Sequence, residues 1–193
     1  MALTLTKGGS LSLSKEAPGL VRTRIGLGWD ARSTDGADFD LDASALLLNA
    51  EGKVRSNDDF IFYNQLSDSV GSVVHQGDNR TGAGDGDDEQ ITVDLSLVPA
   101  DVQKIVFAVS IDEADKRGQN FGQVRNAYIR LLNEDTQAEV VRYDLSEDAG
   151  QEAALNFAEV YRHNGEWKFR AVGQGYAAGL RGIAVDFGVV GLQ

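Results

Sequence analysis

Short segments in which apolar and polar residues alternate, or in which β-branched and aromatic residues cluster, recur along the chain. They are Leu3 to Thr6, Ser10 to Ser14, Val21 to Leu27, Ala43 to Asn49, Phe60 to Tyr63, Ile91 to Leu95, Lys104 to Ile111, Tyr128 to Leu132 and Val140 to Asp144. A period of two puts every second side chain on one face, so these segments predict strands lying against a core. Glycine-rich or acidic stretches between them supply the turns. Many short strands with polar turns predict a mainly β protein, an antiparallel β-sandwich of two sheets. Helical spacing enters only near the C-terminus. From Gln151 to Tyr161 the apolar Ala154, Leu155, Ala158 and Val160 fall near a helical period, behind Ser146 and Glu147 as start signals, and Ala177 to Phe187 predicts a closing helix. Between them Trp167, Phe169 and Ala171 alternate as a strand does.

Sliding the sequence against itself at an offset of 82 aligns Asp30 with Asp112, Gly36 with Gly118, Phe39 with Phe121 and Ala45 with Ala127. Apolar strands flank both copies, which raises an internal β-unit repeat over about residues 25–64 and 107–146 within a single domain of residues 1–193. The copies differ in charge. Where the first has Asp38, Asp40 and Asp42, the second has Asn120, Gly122 and Val124.

Composition narrows the function. The chain of 193 residues has 30 acidic against 18 basic residues, a net charge of −12, with no cysteine and two histidines. An acidic excess of this size disfavours nucleic acid and anionic lipid surfaces, both of which need a basic face. The missing cysteine removes thiol redox chemistry and sulfur ligation of metals. Residues Met1 to Ser10 lack the features of a signal peptide and no apolar run is long enough to span a bilayer, so a cytoplasmic protein without a transmembrane segment is expected.

The negative charge is concentrated. Two segments, Asp30 to Asp42 and Asp78 to Glu89, hold ten acidic side chains in 25 residues, with only Arg32 and Arg80 to offset them. Such crowding costs stability unless something neutralises it, and a bound cation does so. Carboxylates, amide and hydroxyl oxygens and loop carbonyls suit a hard ion, and calcium, which takes about 6–8 oxygens, suits dense acids on a glycine-rich loop better than magnesium. Ten carboxylates with carbonyl help satisfy about two such ions. In an extended Asp38-Phe39-Asp40-Leu41-Asp42 the three aspartates share one face while Phe39 and Leu41 turn to the core; with alternate residues about 6.6 Å apart, all three converge on one ion only if the chain bends. The alternative is a pair of solvated acidic turns, in which Asp, Asn and Gly are common anyway. The spacing is not that of an EF-hand, which from Asp38 requires glycine and glutamate where Ala43 and Asn49 stand.

The strings Gly26-Leu27-Gly28-Trp29-Asp30, Asp38-Phe39-Asp40-Leu41-Asp42, Phe60-Ile61-Phe62-Tyr63-Asn64, Gly77 to Glu89, Asn120-Phe121-Gly122-Gln123-Val124 and Tyr161 to Phe169 closely resemble the TerD family of bacterial tellurium-resistance and general stress proteins. The resemblance spans essentially the whole chain, with only the tail beyond about Leu180 individual. It implies a β-sandwich holding two calcium ions in its acidic loops and a part in resistance to tellurite and other stresses. The Asp38 to Asp42 string and the Asp78 to Glu89 loop match the family's calcium-binding segments. Within and beside them, ligand chemistry assigns Asp30, Asp38, Asp40, Asp42, Asp78, Asn79, Thr81, Asp85, Asp87, Asp88 and Glu89 as the candidate metal ligands. Without cysteine, the expected role in tellurite resistance is indirect and non-enzymatic, through calcium-dependent assembly with other stress-response proteins in the cytosol or at the membrane face.

Two enzymatic readings compete. Gly173-Gln174-Gly175-Tyr176-Ala177-Ala178 fits a dinucleotide fingerprint, but too few residues follow for the returning strand, and a glycine-eased packing turn is the better expectation. A magnesium- or manganese-dependent hydrolase could use the same acidic cluster, although no Lys or His cluster accompanies it. His75 and His163 are expected on the surface, and Trp29 and Trp167 in the core.

Overall fold

The computed structural model describes residues 2–30, 36–77, 86–145 and 150–191. Two six-stranded sheets pack face to face. The first contains β1 (Leu3–Leu5), β3 (Arg22–Gly28), β6 (Val73–His75), β7 (Glu89–Asp94), β9 (Tyr128–Asn133) and β10 (Glu139–Asp144), in the order β1-β10-β9-β3-β7-β6. The second contains β2 (Ser10–Ser12), β4 (Leu41–Leu48), β5 (Phe60–Ile61), β8 (Lys104–Ile111), β11 (Ala154–His163) and β12 (Glu166–Tyr176), in the order β2-β12-β11-β8-β4-β5. Pairing is antiparallel except between β1 and β10, so the expected antiparallel sandwich is correct but for one parallel edge. The N-terminal strands join both sheets, β1 on β10 and β2 on β12.

The predicted alternation builds the interior. Ile25, Leu27 and Trp29 from one sheet meet Leu41, Ala43, Ala45 and Leu47 from the other, with Phe107, Val109, Phe157 and Phe169 filling the same core. Outward residues Leu46 and Leu48 of β4 form a second, smaller apolar cluster with Val106 and Ala108, covered by Ile183 and Ala184 of the C-terminal helix α3 (Gly179–Asp186). The outer face of the first sheet is instead a ladder of ion pairs, among them Arg24–Glu134 at 2.6 Å and Arg130–Glu139 at 3.0 Å.

The structure corrects several expectations. The stretch from Gln151 to Tyr161 is no helix but most of β11. The strand is buried on both faces, and a bulge between Asn156 and Ala158 sets Phe157 and Ala158 side by side in the core, which imitates helical spacing. Among the described residues only α3 lies near the C-terminus, and the other two α-helices are single turns, α1 (Leu13–Glu16) and α2 (Ala114–Arg117). Gly173 and Gly175 stand within β12, so the dinucleotide fingerprint has no loop to cradle a phosphate; a Cβ at Gly173 would strike the Tyr143 hydroxyl. His75 is 3% exposed, not a surface residue, whereas Trp29 is in the core as expected.

The two sheets share one plan. Read outward from its hairpin, the first runs β10-β9-β3-β7-β6 and the second β5-β4-β8-β11-β12. In each, a strand leaves its sheet through a long connection and continues in the other: β3 to β4, and β8 to β9.

Candidate functional site

Strand register gathers the acidic segments at one end of the sandwich. Leu27 at the end of β3 is opposite Glu89 at the start of β7, Gly28 is opposite Tyr128 at the start of β9, and Leu41 at the start of β4 is opposite Ile111 at the end of β8. The two sheets meet there, because the Ala43 N–H of β4 donates to the Glu89 carboxylate of β7 at 3.4 Å. Seven candidate ligands lie at this end: Asp30, Asp38, Asp40, Asp42, Asp87, Asp88 and Glu89. Asp78, Asn79, Thr81 and Asp85 lie outside the described residues. Among the described residues no three Asp, Glu or His side chains stand close enough to hold an ion by themselves.

The three acids that open β7 have different surroundings. Glu89 alternates with Ile91 and Val93 and therefore turns inward, fully buried. His75 Nε2 lies 3.2 Å from its carboxylate and 3.1 Å from the Ala43 carbonyl, while His75 Nδ1 accepts from the Gly77 N–H at 3.1 Å. That acceptor role puts the ring proton on Nε2. Asp88 grips the end of β3: its N–H donates to the Leu27 carbonyl at 2.8 Å and its carboxylate accepts from the Trp29 N–H at 3.0 Å. Burial pushes the Asp88 carboxyl above its ordinary value, and the charges of Asp87 and Glu89 push the same way against the Trp29 N–H.

Asp87 is tied down most firmly. It accepts from the Tyr128 hydroxyl at 2.9 Å and Arg130 Nε at 2.8 Å, with its side chain only 3% exposed. The outward positions of β3 make room for this anchor. A Cβ on Gly26 would strike the Asp87 carboxylate, and one on Gly28 would strike the Tyr128 ring. The Arg142 guanidinium covers that ring at 3.8 Å. Burial and the neighbouring Asp87 charge push the Tyr128 hydroxyl up to about 12.

In the segment before β4, Asp38 is exposed, Asp40 is 6% exposed and only Asp42 belongs to the strand. Phe39 and Leu41 turn inward as the pattern requires. The connection between β8 and β9 holds this segment. The Asp112 N–H donates to the Asp40 carbonyl at 2.8 Å, and Gln119 Nε2 donates to the carbonyls of Ala37 at 2.9 Å and Asp38 at 3.1 Å. Asp30 is held from the same connection, its N–H on the Arg125 carbonyl at 2.9 Å and its carboxylate accepting from Asn126 Nδ2 at 2.6 Å. Asn126 has a φ of 52°, a left-handed conformation that asparagine tolerates. Sequence reasoning missed His75, Gln119, Asn126, Tyr128 and Arg130. For His75 a signal existed, since Glu89 shares the period of Ile91 and Val93 and an inward carboxylate needs a buried partner.

The TerD domain family model matches residues 1–187. The chain belongs to the TerD family. Over 189 residues, 98% of each chain, it is 61% identical to the tellurium resistance protein TerD of Serratia marcescens. It is 55% identical to general stress protein 16U of Bacillus subtilis (strain 168), over 190 residues that are again 98% of each chain. A crystal structure of a homologue of telluride resistance protein (TerD) from Streptomyces coelicolor A3(2) superposes with a TM-score of 0.71 at 24% identity, covering 86% of this chain and 96% of that one. At that identity the likeness concerns the fold, the same TerD-family sandwich.

Proposed function

We propose that this TerD-family protein is a calcium-binding stress-response protein, taking about two Ca2+ at its acidic end and contributing to tellurite resistance as an interaction module rather than an enzyme. The observation that carries the reading is the convergence of two acid-rich connections on one end of the sandwich, where seven candidate ligands lie at or next to strand ends that the Ala43–Glu89 contact ties across the two sheets. Asp38, Asp40, Asp42 and Asp88, with loop oxygens, are the residues that would hold the ions; Asp87 serves as an anchor through Tyr128 and Arg130. The donor set is all oxygen, as a hard cation requires. The bound ions would neutralise the crowded carboxylates and order the loops into a surface for a partner.

The hydrolase reading gains no support from this geometry. His75 has both ring nitrogens engaged with the Glu89 carboxylate, the Ala43 carbonyl and Gly77, and Arg130 is committed to Asp87 and Glu139. Neither is placed to activate water or to neutralise a phosphate. Partners are expected among other stress-response proteins, in the cytosol or at the membrane face. No helix among the described residues is long and apolar enough to cross a membrane.

Isothermal titration with Ca2+ and then Mg2+ tests the reading, the expected result being about two calcium sites and weak magnesium binding. Calcium at 100 times its dissociation constant should stabilise the fold by about 2.7 kcal/mol, a melting shift of roughly 5 to 10 °C at this length. Superimposable melting curves in calcium and in chelator would end the proposal.

A further inference from the structure

The connection between β8 and β9 sends two neutral side chains to the acidic segment of the other connection, Asn126 to Asp30 and Gln119 to Ala37 and Asp38. Gln119 is 5% exposed. Its backbone is fixed where α2 ends: Gly118 takes a left-handed φ of 62° and the Gln119 N–H donates to the Ala114 carbonyl at 2.9 Å. Its Nε2 donates to the carbonyls of both Ala37 and Asp38, which settles how the amide faces, because the reversed amide would set its oxygen against two carbonyl oxygens. The amide oxygen, Oε1, is buried and has no hydrogen-bond partner among the described residues. An acceptor in that state is costly to leave unmade. Here it belongs to an amide seated in the turn that carries Asp38 and leads to Asp40 and Asp42.

Resting on the calcium reading above, we propose that Gln119 is a ligand lent by one connection to the other: Nε2 pins the Ala37–Asp38 turn and Oε1 gives a neutral oxygen to the ion held beside Asp38, Asp40 and Asp42. Amide carbonyl oxygens are ordinary calcium ligands. The carbonyls of Ala37 and Asp38 each accept from Nε2, which holds the amide in place and leaves Oε1 as its free oxygen. A neutral oxygen also adds coordination without adding repulsion among carboxylates.

The test compares wild-type protein with Gln119→Met, which keeps length and loses both polar atoms, and Gln119→Glu, which keeps an oxygen at the position of Oε1. Calcium affinity is read by titration, inner-sphere waters by the luminescence lifetime of bound Tb3+ in H2O and D2O, and folding by melting in chelator. Gln119→Met should weaken one site by about 10-fold or more and add about one water to the bound Tb3+. Gln119→Glu keeps the coordinating oxygen but loses the Nε2 donor to the Ala37 and Asp38 carbonyls, so hydration of the bound Tb3+ should stay unchanged while affinity falls. If wild type binds calcium but Gln119→Met matches it in affinity and hydration, the ligand assignment is wrong while the calcium reading stands. In Gln119→Met, weaker binding with unchanged hydration also overturns it, leaving Gln119 as a brace for Ala37 and Asp38. Should Gln119→Met not fold, Gln119→Glu decides, since an added water on its bound Tb3+ sinks the assignment. Wild-type protein that binds no calcium defeats both readings.

Discussion

The connections β3–β4 and β8–β9 make the same journey at the same end of the molecule, from one sheet to the other, and they interlock reciprocally. The second residue after β3, Asp30, donates its N–H to the Arg125 carbonyl before β9; the first residue after β8, Asp112, donates to the Asp40 carbonyl before β4. Both bury a phenylalanine, Phe39 and Phe121, which the offset of 82 pairs. Their charges differ. Residues 112–127 balance Asp112, Glu113 and Asp115 with Lys116, Arg117 and Arg125, and Arg117 approaches Asp112 at 3.5 Å and Glu113 at 3.6 Å. Residues 29–40 set four acids against Arg32 alone. The fold therefore needs the apolar anchor and the backbone links, which both connections have. It does not need a surplus of carboxylates over basic residues, which only the first connection has, and that surplus is what the calcium proposal accounts for.

The largest effects should be symmetric. Phe39→Ala and Phe121→Ala are each expected to cost about 3–5 kcal/mol in urea denaturation, alike in calcium and in chelator. A cost confined to one of the two would break the equivalence. The next effect should be asymmetric. Asp38→Asn together with Asp40→Asn should remove most of the roughly 2.7 kcal/mol that saturating calcium supplies, whereas Asn120→Asp in the other connection should leave that gain intact. Equal calcium-dependent shifts in both variants would show that net charge, not a local site, sets the response.

That contrast also marks what was legible in the chain. Ala43 to Asn49 and Lys104 to Ile111 announced themselves as apolar and β-branched runs bounded by turns, which is how strands buried on both faces read, and the acidic loops stood out because like charges rarely crowd without cause. β11 did not, since its bulge shifts the apolar residues from strand alternation to near-helical spacing. β6 has only three residues, too few to show any period. Gln119, Tyr128 and Arg130 were silent for another reason: each acts on a segment at least 41 residues distant, and nothing local to it signals that role. Asp87 looked like its acidic neighbours until its partners across Gly26 were visible.

A smaller effect separates β3 from β8. The offset of 82 pairs the bare Gly26 and Gly28 with Ala108 and Ser110. Ala108 packs beneath α3 and has room for its methyl group, while Gly26 lies under Asp87. Gly26→Ala should destabilise by about 1–3 kcal/mol, as overpacking does, by lifting Asp87 from Tyr128 and Arg130. Ala108→Gly should cost only about 0.5–1 kcal/mol, the entropy of a strand glycine. If Gly26→Ala were the milder of the two, the outward face of β3 would not be an anchor for the acidic loop.

The smallest effect is a titration. Tyr128 has a folded-state value of about 12 against an ordinary value of 10.0, raised first by burial and then by the charge of Asp87. The fold thus holds this proton more tightly than the unfolded chain does. Its contribution is fully present below pH 10.0 and is lost as pH rises through about 12. Asp87→Asn removes the charge but leaves the burial, so tyrosinate absorbance should show the Tyr128 transition moving part of the way back toward its ordinary value. A transition unmoved by Asp87→Asn would mean that Asp87 does not rest on Tyr128, and the anchor that distinguishes the acidic side of the molecule would be lost with it.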